Sequence, residues 1–390
     1  LVIEQILQGL HNFWDGLRWL RLAQRRAGRH SGFYTPGVAL FCPVKGIESG
    51  IEQNLSSLVN FDYANYEIFF TMASAEDPAR KIIDRLAASS NRPIHTVIAG
   101  RPADCGEKVN NLRAAVLQAG EGFDVFVFTD SDGRPGKNWL AHLVAPLADA
   151  NLGAVTTFRW FFRQGRGFWS ALASAWNAPV ATYLGEHDNN FCWGGGTAIR
   201  RERFEQCNVL EYWNGSVSDD LSLTHALRHA GLPILFAPEC LVPSIFDCDA
   251  AALFQFTNRQ IIIARVYEKR LWSLGGLAHA LYCAAVLLGV GLYFDNLFTG
   301  IPAMQLLLLA VVPPVLSMGR GVLRLTAVME LLPEWKSKLL ADGWIWTFLA
   351  ALAPFLALWN TLVALFTRKI RWRGVRYQLE SPGQTRILTS

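Results

Sequence analysis

Charge is scarce in this sequence. Only 17% of its 390 residues are Asp, Glu, Lys or Arg, against roughly a quarter in an average soluble domain. The net charge of +4 is too small to argue for nucleic acid, and neither a long Lys/Arg run nor an RNA-binding signature supports that class. The seven cysteines, Cys42, Cys105, Cys192, Cys207, Cys240, Cys248 and Cys283, include no C-x-x-C pair. Odd in number and scattered, they argue against a disulfide framework or a zinc site and fit a reducing compartment. No Ser-His or Cys-His nucleophile arrangement is apparent, so no covalent intermediate is called for.

What the chain has instead is apolar surface. It is 51% hydrophobic and carries fourteen tryptophans, with a mean hydropathy of +0.20. Tryptophan favours membrane–water interfaces, and 390 residues leave room for a water-exposed part and a membrane part. Residues 1–35 open with an amphipathic stretch (Ile3, Ile6, Leu7, Leu10, Trp14, Leu17, Leu20, Leu22) that ends in Arg18, Arg21, Arg25 and Arg26. It lacks the ~20 apolar residues needed to span a bilayer. It reads as an interfacial helix, or as the cytosolic tail of an anchor lying before Leu1.

From 36 to 250, short apolar runs alternate with helical patterns. Strands are expected at Val38–Val44, Glu67–Met72, Ile94–Ile98, Asp124–Thr129 and Ala154–Phe158, and helices near 51–59, 78–88, 107–119 and 138–149. That alternation implies an α/β fold with a mainly parallel sheet covered on both faces. Ligands in such folds gather at the C-terminal edge of the strands, which singles out Lys45–Glu48, Glu76–Asp77 and Asp130–Asp132. Residues 251–272 combine apolar side chains with Arg259, Arg265, Lys269 and Arg270, as an interfacial helix does. Over 273–367 three apolar runs follow: Leu274–Leu297, Ala303–Met318 with Pro313 and Pro314 inside it, and Trp344–Phe366. The first and third read as spans and the middle one is ambiguous. The basic tail, 368–390, belongs on the cytosolic side by the positive-inside bias. With Lys269 and Arg270 also cytosolic, the number of crossings is even. Either the Pro-Pro run is then re-entrant, or 319–333 completes a short fourth crossing.

The strongest local signal is Phe126-Val127-Phe128-Thr129-Asp130-Ser131-Asp132. Carboxylates at i and i+2 share one face of an extended segment. Such a pair suits Mg²⁺ or Mn²⁺ alongside substrate phosphates, although Asp and Ser also form ordinary turns. Asp219 and Asp220, after Ser218, provide a second acidic pair or a helix cap. Glu76-Asp77-Pro78 suits a helix start. Lys108 could reach a phosphate or be solvated, and Trp193-Gly194-Gly195-Gly196-Thr197 is a turn able to approach a sugar or a plain loop.

Taken in order, Pro43-Val44-Lys45-Gly46, Glu76-Asp77-Pro78-Ala79, Lys108-Val109-Asn110-Asn111-Leu112, Thr129-Asp130-Ser131-Asp132, the glycine turn, Ser218-Asp219-Asp220, Arg259-Gln260 to Arg265 and Ile370–Tyr377 resemble the family-2-type inverting glycosyltransferases of the GT-A fold. Among these the succession is most similar to the ceramide glucosyltransferase group, from about residue 36 to 380. The resemblance implies a Rossmann-like catalytic domain followed by C-terminal transmembrane helices. It implies a UDP-sugar donor such as UDP-glucose, a divalent cation, a lipid acceptor and a cytosol-facing site. Asp77 would hold the nucleoside, Asp130 and Asp132 the metal and diphosphate, and Asp220 would be the general base. The group's Q/R-x-x-R-W motif, whose arginine would bind the donor diphosphate, is altered here: Arg265 precedes Val266 and follows Ile262 by three residues, so Arg259 and Gln260 stand in beside Arg265 for that role. A processive polysaccharide synthase and a non-catalytic membrane scaffold are the alternative readings. The acidic positions weigh against the scaffold, and the few apolar runs against a polymer channel.

Overall fold

A computed structural model describes residues 2–28, 34–299 and 303–389. The strands, in chain order, are β1 (Val38–Pro43), β2 (Tyr66–Met72), β3 (Ile94–Ile98), β4 (Val125–Thr129), β5 (Ala154–Thr156), β6 (Arg159–Phe162), β7 (Gly196–Arg200), β8 (Ile234–Phe236), β9 (Val242–Ile245), β10 (Lys369–Trp372), β11 (Val375–Ser381) and β12 (Gln384–Thr389). The chain divides into two compact units. An α/β unit comprises 28–162, 183–245 and 368–390, and a helical unit comprises 1–27, 163–182 and 246–367.

Seven strands of the α/β unit form one sheet in the order β3-β2-β1-β4-β7-β5-β8. The pairs β2/β3, β1/β2, β1/β4 and β5/β8 are parallel, whereas β7 runs antiparallel between β4 and β5. This is the α/β, GT-A-type sheet the resemblance implies. Its central strands bury both faces: every residue of β4 is buried, and only the terminal Pro43 of β1 is not. That burial explains why they read as continuous apolar runs without alternation. Phe41, Phe126, Phe128, Phe204 and Trp213 interlock with ring centroids 5.4–6.0 Å apart, so the end of β4 rests on a dense aromatic core.

The last strands, β10–β12, form a separate antiparallel sheet inside the α/β unit. Tyr377, buried on β11, accepts a hydrogen bond from the backbone N–H of Glu107 at 3.2 Å. Gly215 has φ +65°, and a Cβ there would lie 2.1 Å from the carbonyl oxygen of Gly383. Only glycine meets both demands without strain.

In the helical unit, helix Lys269–Thr299 carries a candidate span over Lys269–Asp295, and helix Ala303–Leu331 carries another over Leu306–Leu331. The apolar run read as ambiguous is thus a continuous helix through Pro313 and Pro314 that takes in most of 319–333. The run read as a span, Trp344–Phe366, is two segments, Gly343–Ala351 and Ala353–Phe366, with a 58° bend between them, as in a broken span or a re-entrant loop. Pro354, in the first turn of the second segment, supplies no N–H to continue the helix across the break. The N-terminal helix Val2–Arg26 packs on Ala303–Leu331, burying Trp19, Leu22 and Ala23. The side chains of Ile3, Ile6, Leu7 and Leu10 fall outside the described ones. Helix Ala250–Tyr267 is tied to Ala353–Phe366 by the buried Asn360, whose amide donates to Thr257 Oγ1 at 2.9 Å and Asn258 Oδ1 at 2.8 Å.

Gly215→Ala tests the docking of the C-terminal sheet. Strain at a positive φ plus overpacking against Gly383 should cost about 1–3 kcal/mol. The expected outcome is a lowered unfolding temperature and earlier tryptic cleavage around Arg368–Arg376; wild-type behaviour in both assays would show that the contact is dispensable.

Candidate active site

β4 delivers Asp130 and Asp132 to the edge of the sheet, and a cation meets each. Lys108, in the first turn of helix Glu107–Gln118, places Nζ 2.8 Å from Asp130 Oδ1 and 3.2 Å from Asp219 Oδ1. It also donates to the carbonyl oxygen of Gly194 at 3.3 Å. Arg159 on β6 lies 3.6 Å from Asp132 Oδ2, with its guanidinium over Phe161 at 4.7 Å. Helix Glu107–Gln118 is fixed at its start by Gly106 N–H donating to Ser216 O at 2.8 Å.

These contacts set the charges. Burial alone would lower the pKa of the Lys108 ammonium, but attraction from Asp130, Asp219 and Asp220 outweighs it and the net shift is upward. Burial pushes Asp130 up, yet the charge and hydrogen bond of Lys108 bring it below the ordinary carboxylate value. Asp132 moves the other way: burial and the adjacent Asp130 raise it, against the pull of Arg159 and Arg373. Asp219 is raised by burial to about 7, although Lys108 acts to lower it.

The glycine turn closes over this cluster. A Cβ at Gly194 would sit 2.4 Å from Asp219 Oδ2 and 2.6 Å from Lys108 Nζ, and one at Gly195 would sit 2.8 Å from Asp130 Oδ2. The glycines are therefore needed for close approach to the protein's own carboxylates. Gly194 N–H donates to Asp220 Oδ2 at 3.3 Å. Asp220 Oδ1 accepts from Leu221 N–H at 2.8 Å and from the Ser218 hydroxyl. Ser218 is the N-cap of helix Asp219–His229, so the capping role left open for Asp219 is not the one it plays. Asp219 is buried against Lys108 while Asp220 is half-buried.

Asp77 joins two loops. Its carboxylate accepts from Gly46 N–H at 3.0 Å and from Ala79 N–H at 2.9 Å, fixing the segment after β1 beside the segment after β2. Thus Asp77, Lys108, Asp130, Asp132, Asp219 and Asp220 all stand in the α/β unit at or near the C-terminal edge of its strands. Arg259, Gln260 and Arg265 lie on helix Ala250–Tyr267 of the helical unit. There Arg259 stacks over Phe256 at 5.4 Å, while Arg265 donates to the carbonyl of Ala364 and covers Trp272 at 5.5 Å. Two basic residues at the acidic cluster escaped the sequence reading. Arg159 gave no local signal. Arg373 lies in the Ile370–Tyr377 run quoted for the resemblance, which gave it no site role of its own.

The fit of the acidic pair to a divalent cation can be judged from its chemistry. Among the described residues no group of three His, Cys, Asp or Glu side chains converges as a self-sufficient metal cage. Asp130 and Asp132 are near enough for the charge of one to be felt by the other, and Asp132 Oδ1 is buried without a hydrogen-bond partner. Two carboxylates with an unsatisfied oxygen fit Mg²⁺ or Mn²⁺, ions commonly held by one or two carboxylates plus substrate phosphates.

The state of Asp219 can be tested by pH. A carboxyl raised from 3.8 to about 7 favours the folded state while protonated, and that contribution is lost as pH rises from the ordinary carboxylate range through 7. Between about pH 5 and pH 7.5 the wild-type protein should lose more thermal stability than Asp219→Asn, which cannot ionise. Parallel melting curves would contradict the raised value.

The chain is similar to several known proteins. The model of glycosyl transferase family 21 matches residues 8–385. Ceramide glucosyltransferase 1 of Caenorhabditis elegans is 21% identical over 229 residues, covering 57% of this chain and 48% of the relative. Ceramide glucosyltransferase 3 of the same organism is 20% identical over 229 residues, covering 57% and 49%. The chain thus matches about half the length of these curated relatives. Among solved structures, a Pyrobaculum calidifontis mannosyltransferase in complex with GDP-Man and Mn²⁺ aligns with a TM-score of 0.47 and 17% identity, over 93% of this chain and 99% of that one. With nearly its whole length matched by the family model, the chain belongs to glycosyl transferase family 21.

Proposed function

We propose that this glycosyltransferase moves one sugar, glucose in the first instance, from a UDP-sugar to the hydroxyl of a ceramide-like lipid, with inversion. The observation that carries the reading is the joining of Asp130, Lys108 and the half-buried Asp220 through the glycine turn, with Asp132 beside them, in a chain that also holds candidate membrane spans. The sequence likeness to ceramide glucosyltransferases supports the lipid acceptor.

Asp220 is the general base of this reading. Asp219 is closed beneath Gly194 and committed to Lys108, whereas Asp220 is reachable and oriented by Gly194, Leu221 and Ser218. Its carboxylate takes the proton of the acceptor hydroxyl as that oxygen bonds to the anomeric carbon. The bond from that carbon to the UDP oxygen breaks, and its electron pair leaves with UDP. Attack from the face opposite the diphosphate turns an α-linked donor into a β-linked product. Asp130 and Asp132 would hold Mg²⁺ or Mn²⁺, which supplies positive charge to the departing diphosphate. Asp77 keeps the loops of the nucleoside end in register, the role by which it would serve donor binding.

The same division of the chain supports a topology. The α/β unit includes residues on both sides of 246–367. One folded unit lies on one side of a bilayer, so the helices between cross it an even number of times. Helices Lys269–Thr299 and Ala303–Leu331 as spans, with the bent pair re-entrant, satisfy that parity. The basic residues of β10 and β11 favour the cytosol for that side by the positive-inside bias. Among the described residues two candidate spans are few for a polymer channel, which weighs against a processive synthase.

Membranes supplied with labelled UDP-glucose and ceramide should form a single glycolipid; a polymer, or no product from any UDP-sugar, would overturn the reading. Asp220→Asn should lower kcat by ~10²–10⁴-fold with UDP affinity, measured by calorimetry, nearly unchanged. Parallel loss of both would move Asp220 into the donor site. Excess EDTA, and Asp132→Asn, should each abolish most turnover, and full activity in EDTA would rule out the metal.

A further inference from the structure

β10 and β11 are joined by two residues, Arg373 at φ 49° and Gly374 at φ 87°. Two successive positive φ values are the mark of the type I′ hairpin, whose first position favours Asn, Asp or Gly. Arginine there gains nothing for the turn, since a Cβ is disfavoured in the left-handed region. An outlier of this kind points to what its side chain does.

That side chain reaches the edge of the acidic cluster. Arg373 Nη1 donates to Lys45 O at 3.0 Å and pairs with Glu48 Oε1 at 2.7 Å, both in the loop following β1. Its charge is felt at Asp130 and Asp132. The turn is held in place from behind by Tyr377 on the N–H of Glu107 and by Gly383 against Gly215. Among the three cations facing the cluster, Lys108 is locked between Asp130 and Asp219, and Arg159 is wedged between Asp132 and aromatic rings. Arg373 differs from both: its side chain is 32% exposed and Glu48 is 42% exposed. An ion pair so open to water is weak, so its guanidinium can exchange a single carboxylate for a stronger bidentate partner. A planar guanidinium fork matches phosphate oxygens in this way.

We propose that Arg373 binds the diphosphate of the nucleotide-sugar donor, so that the C-terminal hairpin completes the donor site and fills the role the sequence had suggested for Arg259 or Arg265. The proposal rests on the donor reading above and deepens it.

The test is calorimetry on the full chain in detergent with Mn²⁺, using UDP and uridine as probes. Arg373→Gly suits it, because glycine accepts the turn geometry and removes only the side chain. UDP affinity should fall about ten- to hundredfold, the loss expected for charge-assisted hydrogen bonds, while uridine affinity stays the same. Arg376→Ala, which removes an exposed charge from the same hairpin, should bind UDP like wild type. Should Arg373→Gly fail to fold, Glu48→Gln gives a second reading: releasing the guanidinium should leave UDP binding equal or tighter, and weaker binding would overturn the proposal. Unchanged UDP affinity in Arg373→Gly, or equal losses for UDP and uridine, would also overturn it while leaving the donor reading intact. Absence of UDP binding by the wild-type protein would instead remove the donor reading and the proposal together.

Discussion

The contact on which the rest of the site depends is Lys108 between Asp130 and Asp219. Burial disfavours every charged group at the end of β4, and a cluster of carboxylates there would ordinarily take up protons. A single ammonium within 3.2 Å of two of them changes the outcome. It holds Asp130 ionised, leaves Asp219 poised near neutrality, and leaves the shift of Asp132 to burial and to its neighbour. Lys108 can do so because its helix is fixed at the first turn, by Ser216 on Gly106 and by Tyr377 on Glu107. The electrostatics of the centre is thus set by backbone contacts at one helix start.

The glycine turn follows from the same crowding. With Lys108 and Asp219 filling the space beneath it, residues 194 and 195 have no room for a side chain. The backbone comes close enough for Gly194 to accept from Lys108 through its carbonyl and donate to Asp220 through its N–H. Removing side chains here converts a loop into the element that orients the proposed base. A turn that reads as flexible in sequence is confined in the fold.

How much of this was legible in the sequence depended on locality. Val125–Thr129 announces itself by continuous apolar residues, and Asp130 and Asp132 by their place just beyond it, because strand burial and ligand placement at strand ends are both local rules. Arg159 and Arg373 are joined to the cluster by topology: β6 pairs with β9, and β11 docks on the start of a helix about 270 residues earlier. No spacing rule spans such a distance. The hydrophobic runs located the helical unit but not its bend. Hydropathy sees Trp344–Phe366 as unbroken and Pro313-Pro314 as an interruption, yet the bend falls in the former. Prolines inside a membrane helix can be tolerated when neighbouring groups satisfy the freed backbone, and composition alone does not register a change of direction.

The order of the segments carries a consequence for assembly. The α/β unit is built from three stretches of chain, and the last begins only at residue 368, after every helix of 246–367 has been made. Domains generally fold as units while the chain emerges N-terminus first, but this one cannot finish that way. Its sheet, its acidic cluster and Lys108 are available early, whereas Tyr377 and Arg373 arrive last. Until they do, the start of helix Glu107–Gln118 lacks one of its anchors and the loop after β1 lacks its cation. On this topology, completion of the proposed donor site waits for synthesis of the helices of 246–367.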